Sequence, residues 1–397
     1  MTHRRWSRRS LVGGALGGAL LAAAGGPGAR AAARTAGPAP LPPLDTSALR
    51  AAVFDLSHPP ATSAQLLVDH QGERWYGTAG AAGLRSGRAV RPDDRFRAGS
   101  VTKTFVATVV LQLWAARRVD LDAPIGRYLP GLLPPASARI TVAHLLNHTS
   151  GLPDHRGLPD LSTPEAVLRH RFDRWTPREW VRTVTYGPPK FRPGTVQEYR
   201  GVNYVLLALL VEELTGRRYG EAIASRVLRP LGLRRTLLPG GDPRLHGPHV
   251  RGYLRMTDGS LRDVTVHDQS GAWGEGELVS TAEDLFRFQQ ALFSGVLLPP
   301  HAMEKLFTTP PDDVRMPDGG PARYSMGLQK VTVNGVTFWG KTGETYGYRT
   351  RVFSTRDRRL RFVLSYTPTP LAAEEQMAAR IAPLLVPPPP RRDGSGR

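Results

Sequence analysis

The chain has 397 residues, 40% of them hydrophobic and 22% charged, and a formal net charge of +19. That length and balance suit a soluble globular protein with a core large enough for two lobes. With no cysteine there can be no disulfide framework, thiol nucleophile or thiolate metal site, and the scattered arginines, without a basic repeat or interleaved aromatic platform, argue against nucleic acid as a partner. Arginine-rich coding bias is the preferred account of the charge, and such a surface would also be attracted to anionic cell-wall polymers.

In chain order, residues 1–34 hold six arginines and no acid. Ser7-Arg8-Arg9-Ser10-Leu11-Val12 reads as a twin-arginine export motif, followed by an apolar run from Leu11 to Ala24. That run is short for a membrane span of about 20 residues, and Ala29-Arg30-Ala31 offers a cleavage site. The expectation is an export signal over 1–34, a Pro/Ala-rich linker over 35–44, and a secreted or cell-wall-associated protein with no membrane anchor after cleavage. Ser47 is positioned to cap a first helix through Phe54, and Ala64–Asp69 and Arg74–Gly77 read as strands around Gln71-Gly72. Ser100 starts a long helix with Val106, Val109, Val110, Leu113 and Trp114 on its apolar face.

The middle third is mostly helical. Thr176-Pro177-Arg178-Glu179 is a capping box, a helix over Val202–Leu214 stops at Gly216, and Ser280-Thr281-Ala282-Glu283 opens a helix through Phe293. The period then switches to strand. Val331–Val333 and Val336–Trp339 flank the hairpin signal Asn334-Gly335, with Tyr348–Phe353, Leu360–Tyr366 and a closing helix Leu371–Leu385 behind them. The pattern predicts an α+β fold: an antiparallel sheet of about five strands built from both chain ends, flanked by N- and C-terminal helices. One lobe takes residues 45–125 and 250–386, an inserted helical lobe takes 126–249, and 387–397 is a polar tail expected to be disordered.

Five of the 53 basic residues are lysine, at 103, 190, 305, 330 and 341, and the rest are arginine. Arginine keeps its proton in a protein, whereas a lysine amine gives it up once burial or a neighbouring cation lowers its pKa. Lys103 follows Ser100 by three residues, which puts both on one helical face, and a serine hydroxyl needs such a base to become a nucleophile. Ser100 at a helix N-terminus also offers an oxyanion a backbone N–H and the positive end of the dipole. Lys341-Thr342-Gly343 ends a predicted strand, and S-x-x-K with a downstream K-T-G is the signature of penicillin-recognising serine acyl-enzymes.

Three further stretches sharpen this. They are Pro193-Gly194-Thr195 ahead of Tyr199, the run from Ile140 to Asp154, and Gly274-Glu275-Gly276-Glu277-Leu278-Val279. With these in order from Thr46 to Leu385, the chain resembles the serine β-lactamase and D-alanyl-D-alanine carboxypeptidase family, in its class C-like branch. The resemblance implies Ser100 as nucleophile and Lys103 with Tyr199 as the proton-transfer pair. It implies Lys341 and Thr342 as holders of a substrate carboxylate, Gly343 as the point of close approach, and the N–H groups of Ser100 and Glu344 as oxyanion donors. No cofactor or metal is implied. One position departs from the family, which carries Tyr-x-Asn where this chain has Tyr199-Arg200-Gly201. Loss of that amide raises the esterase reading against peptide or β-lactam turnover, and Asn203 is a poor replacement. Arg200 and Glu344 add opposite charges near the site, whether functional or as a solvated surface pair.

Two rival motifs are weaker. His144 to Asp154 has a zinc-protease skeleton, but Leu145 stands where the general-base Glu belongs. Gly335 to Thr342 matches G-x-x-x-x-G-K-[ST], yet its middle is β-branched and aromatic and leads into a strand rather than a helix. The expectation is a secreted acyl-enzyme hydrolase, foremost a D-alanyl-D-alanine carboxypeptidase on peptidoglycan-type peptides. An esterase or β-lactamase of the same family is the alternative, and a catalytically silent wall-binding protein is the alternative of another class.

Overall fold

The computed structural model describes residues 41–372 and 376–388. The expected export signal lies outside the described residues, as do most of the linker and nearly all of the tail. Helix α1 (Thr46–Phe54) leads into strands β1 (Ala61–His70), β2 (Glu73–Gly80) and β3 (Phe96–Gly99), then helix α2 (Thr102–Ala115). The helices α3 (Val142–Leu146), α4 (Pro164–His170), α5 (Pro177–Arg182), α6 (Val202–Thr215) and α7 (Tyr219–Ile223) follow. Short strands β4 (Tyr253–Arg255), β5 (Leu261–Asp263) and β6 (Leu278–Ser280) precede α8 (Ala282–Phe293) and α9 (Pro300–Phe307). The chain closes with β7 (Gln329–Val333), β8 (Val336–Thr345), β9 (Tyr348–Thr355), β10 (Leu360–Pro368) and α10 (Met377–Leu385).

The main sheet is antiparallel with strand order β2-β1-β10-β9-β8-β7, so β1 pairs with β10 and joins the two ends of the chain. Side chains alternate across a pleated strand with period two. Leu66, Val68, Phe362 and Leu364 therefore face one way and pack with Leu49 and Val53 of α1 and Ile381 and Leu385 of α10. Leu67 and Val363 face the other way, into a larger cluster with α2, α6 and α8. The sheet is thus covered on both faces, and Phe105 of α2 stacks on Phe288 of α8 at a 3.7 Å centroid distance behind it.

Where structure and expectation differ, the reasons are local. All six predicted strand runs join the main sheet, one more than the expected five or so. Asp45, not Ser47, caps α1 by accepting from the Ala48 N–H at 2.9 Å. Thr281, not Ser280, caps α8, accepting from the Asp284 N–H at 3.1 Å, because Ser280 is held in β6 opposite Phe96. The closing helix begins at Met377 rather than Leu371. The Thr176–Glu179 capping box and the Gly216 stop, at φ +66°, are as expected. Helix α2 is buried on nearly every side, so the stripe read from its sequence is part of a central helix, as all-round apolar sequence implies.

Candidate active site

Ser100 lies where β3 ends and α2 begins. Gly99 makes that junction possible: its φ is +54°, and a Cβ there would meet the Glu344 nitrogen at 2.5 Å. Across the gap, a Cβ on Gly343 would meet the Ala98 carbonyl oxygen at 1.9 Å and the Ser100 nitrogen at 3.3 Å. Two glycines therefore let β8 press against the Ser100 turn, and the backbone nitrogens of Ser100 and Glu344 come to one place. Thr102 fastens the turn from below: its hydroxyl donates to the Gly99 carbonyl at 2.7 Å and accepts from the Leu278 N–H at 2.9 Å.

One helical turn on, the Lys103 amine donates to Ser100 Oγ at 3.1 Å and to the Glu275 carbonyl at 2.6 Å. Burial pushes the amine down to about 8, against the opposing pull of the Glu275 carboxylate. Tyr199 stands between the two lysines, its ring centroid 5.2 Å from Lys103 Nζ and 4.7 Å from Lys341 Nζ. Its hydroxyl is buried beside Ser100. Burial raises the phenol far more than the contact with Ser100 lowers it, and Glu275 and Glu344 push the same way. The Tyr199 phenol therefore stays protonated near neutrality, and of the two groups it is the Lys103 amine that burial brings toward its neutral form.

Lys341, on β8 opposite Val352, donates to the Thr342 carbonyl at 2.9 Å. Burial lowers its pKa furthest, with Lys103 and Arg351 adding to the effect and Glu344 opposing it. Thr342 lies in the same open cleft as Ser100, Lys103, Tyr199 and Lys341. The cleft continues past Trp175, Trp180, Gln269 and Tyr324. The expected site residues are thus brought together around Ser100.

Other expectations change. Arg200 and Glu344 are not partners: Arg200 bonds Asp154 and the Pro153 carbonyl, while Glu344 pairs with Arg351 at 3.1 Å and Arg349 at 3.4 Å. Neither charge is free in solvent. Asn203 is buried and accepts from Ser150 Oγ at 2.7 Å, so its side chain serves the packing of α6. The zinc skeleton falls apart because the chain leaves α3 at Leu146, so its two histidines share no helical face. The His144 ring accepts from the Thr141 N–H at 3.2 Å and closes the α3 cap. His148, at φ +61°, lies with its ring centroid 4.4 Å from that of Tyr199 at a 37° tilt, and burial with both lysines nearby keeps it neutral. Gly335 to Thr342 is a hairpin turn running into β8, which no phosphate-binding loop would be.

Gly201 departs most from expectation. Its backbone is ordinary helix, φ −63° and ψ −47°, so no unusual conformation demands glycine. What demands it is Glu275, whose Oε2 lies 1.5 Å from where a Cβ would be. The space of the missing side chain is filled by a carboxylate from another part of the chain. Sequence reasoning singled out Gly274 to Val279 without giving Glu275 a task, and it missed Trp180, whose indole N–H donates to Glu275 Oε1 at 3.0 Å.

A family model described as Beta-lactamase matches residues 56–385. The chain belongs to the beta-lactamase family. Within this family of serine hydrolases it is similar to a D-stereospecific amidohydrolase from a Streptomyces species. The two structures align with a TM-score of 0.75 at 33% identity, covering 85% of this chain and 98% of that one. It is 34% identical to the esterase EstB of Burkholderia gladioli, over 54% of this chain and 59% of EstB. It is 27% identical to a D-aminopeptidase of Gluconobacter oxydans, over 76% of this chain and 54% of the relative. The chain therefore spans only a little over half the length of these two curated relatives.

Proposed function

We propose that this chain is an acyl-enzyme hydrolase of small amides and esters, with D-aminoacyl compounds as its principal substrates. The observation that carries the reading is the Ser100–Lys103 contact at 3.1 Å, with the amine buried and its pKa near 8. A neutral Lys103 takes the Ser100 proton as Oγ attacks the substrate carbonyl carbon. The N–H groups of Ser100 and Glu344 receive the developing oxyanion. As the tetrahedral intermediate collapses, the protonated Tyr199 hands its proton to the leaving nitrogen or oxygen and recovers one from Lys103. Water then attacks the acyl-Ser100 ester by the same route in reverse.

The names of the relatives support the substrate class: an amidohydrolase with D-stereospecificity, a D-aminopeptidase and an esterase. The direction at Lys341 supports it too: burial, Lys103 and Arg351 all disfavour its charged form, which weakens it as a clamp for the terminal carboxylate of a peptide. A D-alanyl-D-alanine carboxypeptidase is the second reading, favoured by Lys341 and Thr342 standing together in the cleft beside Ser100. The reading extends to location: an exported protein, sent by the twin-arginine route, near the cell wall.

The test is to incubate residues 35–397 with a D-amino acid amide, a D-Ala-D-Ala peptide, a chromogenic cephalosporin and a short acyl ester. Turnover of the amide and ester, lost in Ser100→Ala, is expected. Turnover of the peptide alone would move the assignment to carboxypeptidase. No turnover, and no fluorophosphonate label on Ser100, would leave a silent binding protein.

A further inference from the structure

Three observations converge on one carboxylate. Glu275 is 7% exposed, and its Oε2 lies 3.5 Å from Lys103 Nζ. Its Oε1 accepts from the Trp180 indole at 3.0 Å, which fixes the orientation of the group. The same Oε2 occupies the place of a side chain at residue 201, the position where this chain departs from its family. A buried carboxylate is costly unless paired, and here the partners are the amine of the candidate base and one indole N–H.

We infer that Glu275 is the positioning residue of the base: its carboxylate, housed in the space Gly201 leaves open, holds Lys103 toward Ser100 and sets the pH at which the amine can accept a proton. The inference rests on the proposed acyl-enzyme reading. It also explains the glycine. A side chain at 201 would displace the carboxylate from its present place beside Lys103. On this inference the Glu275 carboxylate stands in the space where the family places an Asn side chain, and either group there could serve the lysine as a polar partner.

The direction of the effect follows from charge. A carboxylate beside an ammonium favours the charged amine, so it opposes the lowering by burial. Tyr199, Tyr204 and His148, the other titratable groups around the amine, are all neutral near pH 7, and burial disfavours the charge on Lys341. Glu344 faces Lys341 and the two arginines instead. Removing the Glu275 charge therefore lowers the pKa of Lys103.

The readout is the rate of Ser100 labelling by a fluorophosphonate from pH 5 to 10, which requires no knowledge of the substrate. In the wild type this rate rises with pH as Lys103 loses its proton. Glu275→Gln keeps the shape and the contact with Trp180, and should move the rising limb to lower pH by about one unit. A purely structural role would slow labelling and leave the limb where it was, which would overturn the inference. The second arm uses space. Gly201→Asn alone should slow labelling at least tenfold, and the double variant Glu275→Ala, Gly201→Asn should recover most of that loss. Losses that simply multiply would also overturn the inference. If the wild type is not labelled at Ser100 at all, it is the acyl-enzyme reading that fails.

Discussion

At Lys103 two forces oppose each other, and burial is the larger. Burial drives the amine toward neutrality, the Glu275 carboxylate pulls it back, and the balance falls near pH 8. A base must be deprotonated, so kcat/KM should rise with pH through about 8 and level off above it. Lys103→Arg keeps the charge but has no accessible neutral form. It should therefore cost nearly as much as Lys103→Ala, in the range of about 10²–10⁴-fold for a lost general base. An Arg variant with most of the activity would make Lys103 an electrostatic residue and shift the base to Tyr199. The sequence displayed Ser100, Lys103 and Lys341 because a rare lysine among arginines, at the right spacing, is a visible signal. Glu275 is one of many acids and lies 172 positions from Lys103. Nothing local says which acid meets which lysine.

At the scale of elements, the site depends on the short strand β6 and the helix that follows it. Thr281 caps α8 and is buried, with its hydroxyl on the Asp284 N–H. Thr281→Ala should lower stability by about 1 kcal/mol, read as a fall in the denaturation midpoint, whereas Ser47→Ala in α1 should be close to neutral. Just ahead of β6, Glu277 is buried, accepts from the Tyr219 hydroxyl and from the Gly240 N–H at 3.0 Å, and is pushed up to about 7. Burial is the cause, since it disfavours the charged carboxylate more than its hydrogen bonds favour it. The folded chain thus holds a proton that the unfolded chain releases near 4.5. Its contribution is complete below about pH 4.5 and is lost as pH rises through about 7, an effect of about 3 kcal/mol. Glu277→Gln should flatten this part of the stability profile between pH 5 and 8. Urea unfolding at the two pH values measures it, and an unchanged slope would remove Glu277 as the source.

For the whole molecule, charge and address matter most. The net charge of +19, or 19 − 6 = +13 once residues 1–34 with their six arginines are removed, attracts polyanions by a mechanism that salt weakens, so any association with cell-wall polymer should fall steeply with ionic strength. On the proposed twin-arginine reading, replacing Arg8 and Arg9 with Lys should stop export while leaving the purified protein, cut at residue 35, as active as before. Secretion that continues in the double variant would point to the general route instead.

Most of the fold was legible because its signals are local. Period two marked the strands, Asn334-Gly335 the hairpin, Thr176 and Glu179 a helix start, and Gly216 a helix stop. Where those signals were ambiguous, a local cap bond settled Asp45 over Ser47, and pairing of β6 with the distant β3 settled Thr281 over Ser280. The contact between Ser100 and Lys103 was equally legible, since three residues along a helix decide it. What only the tertiary structure decided are contacts across the chain: Gly99 against Glu344, Tyr199 between two lysines, and Glu275 in the space above Gly201. From sequence alone Gly201 is a lost amide. In the folded molecule it is the room that a buried carboxylate needs to reach Lys103, because two atoms cannot share one volume.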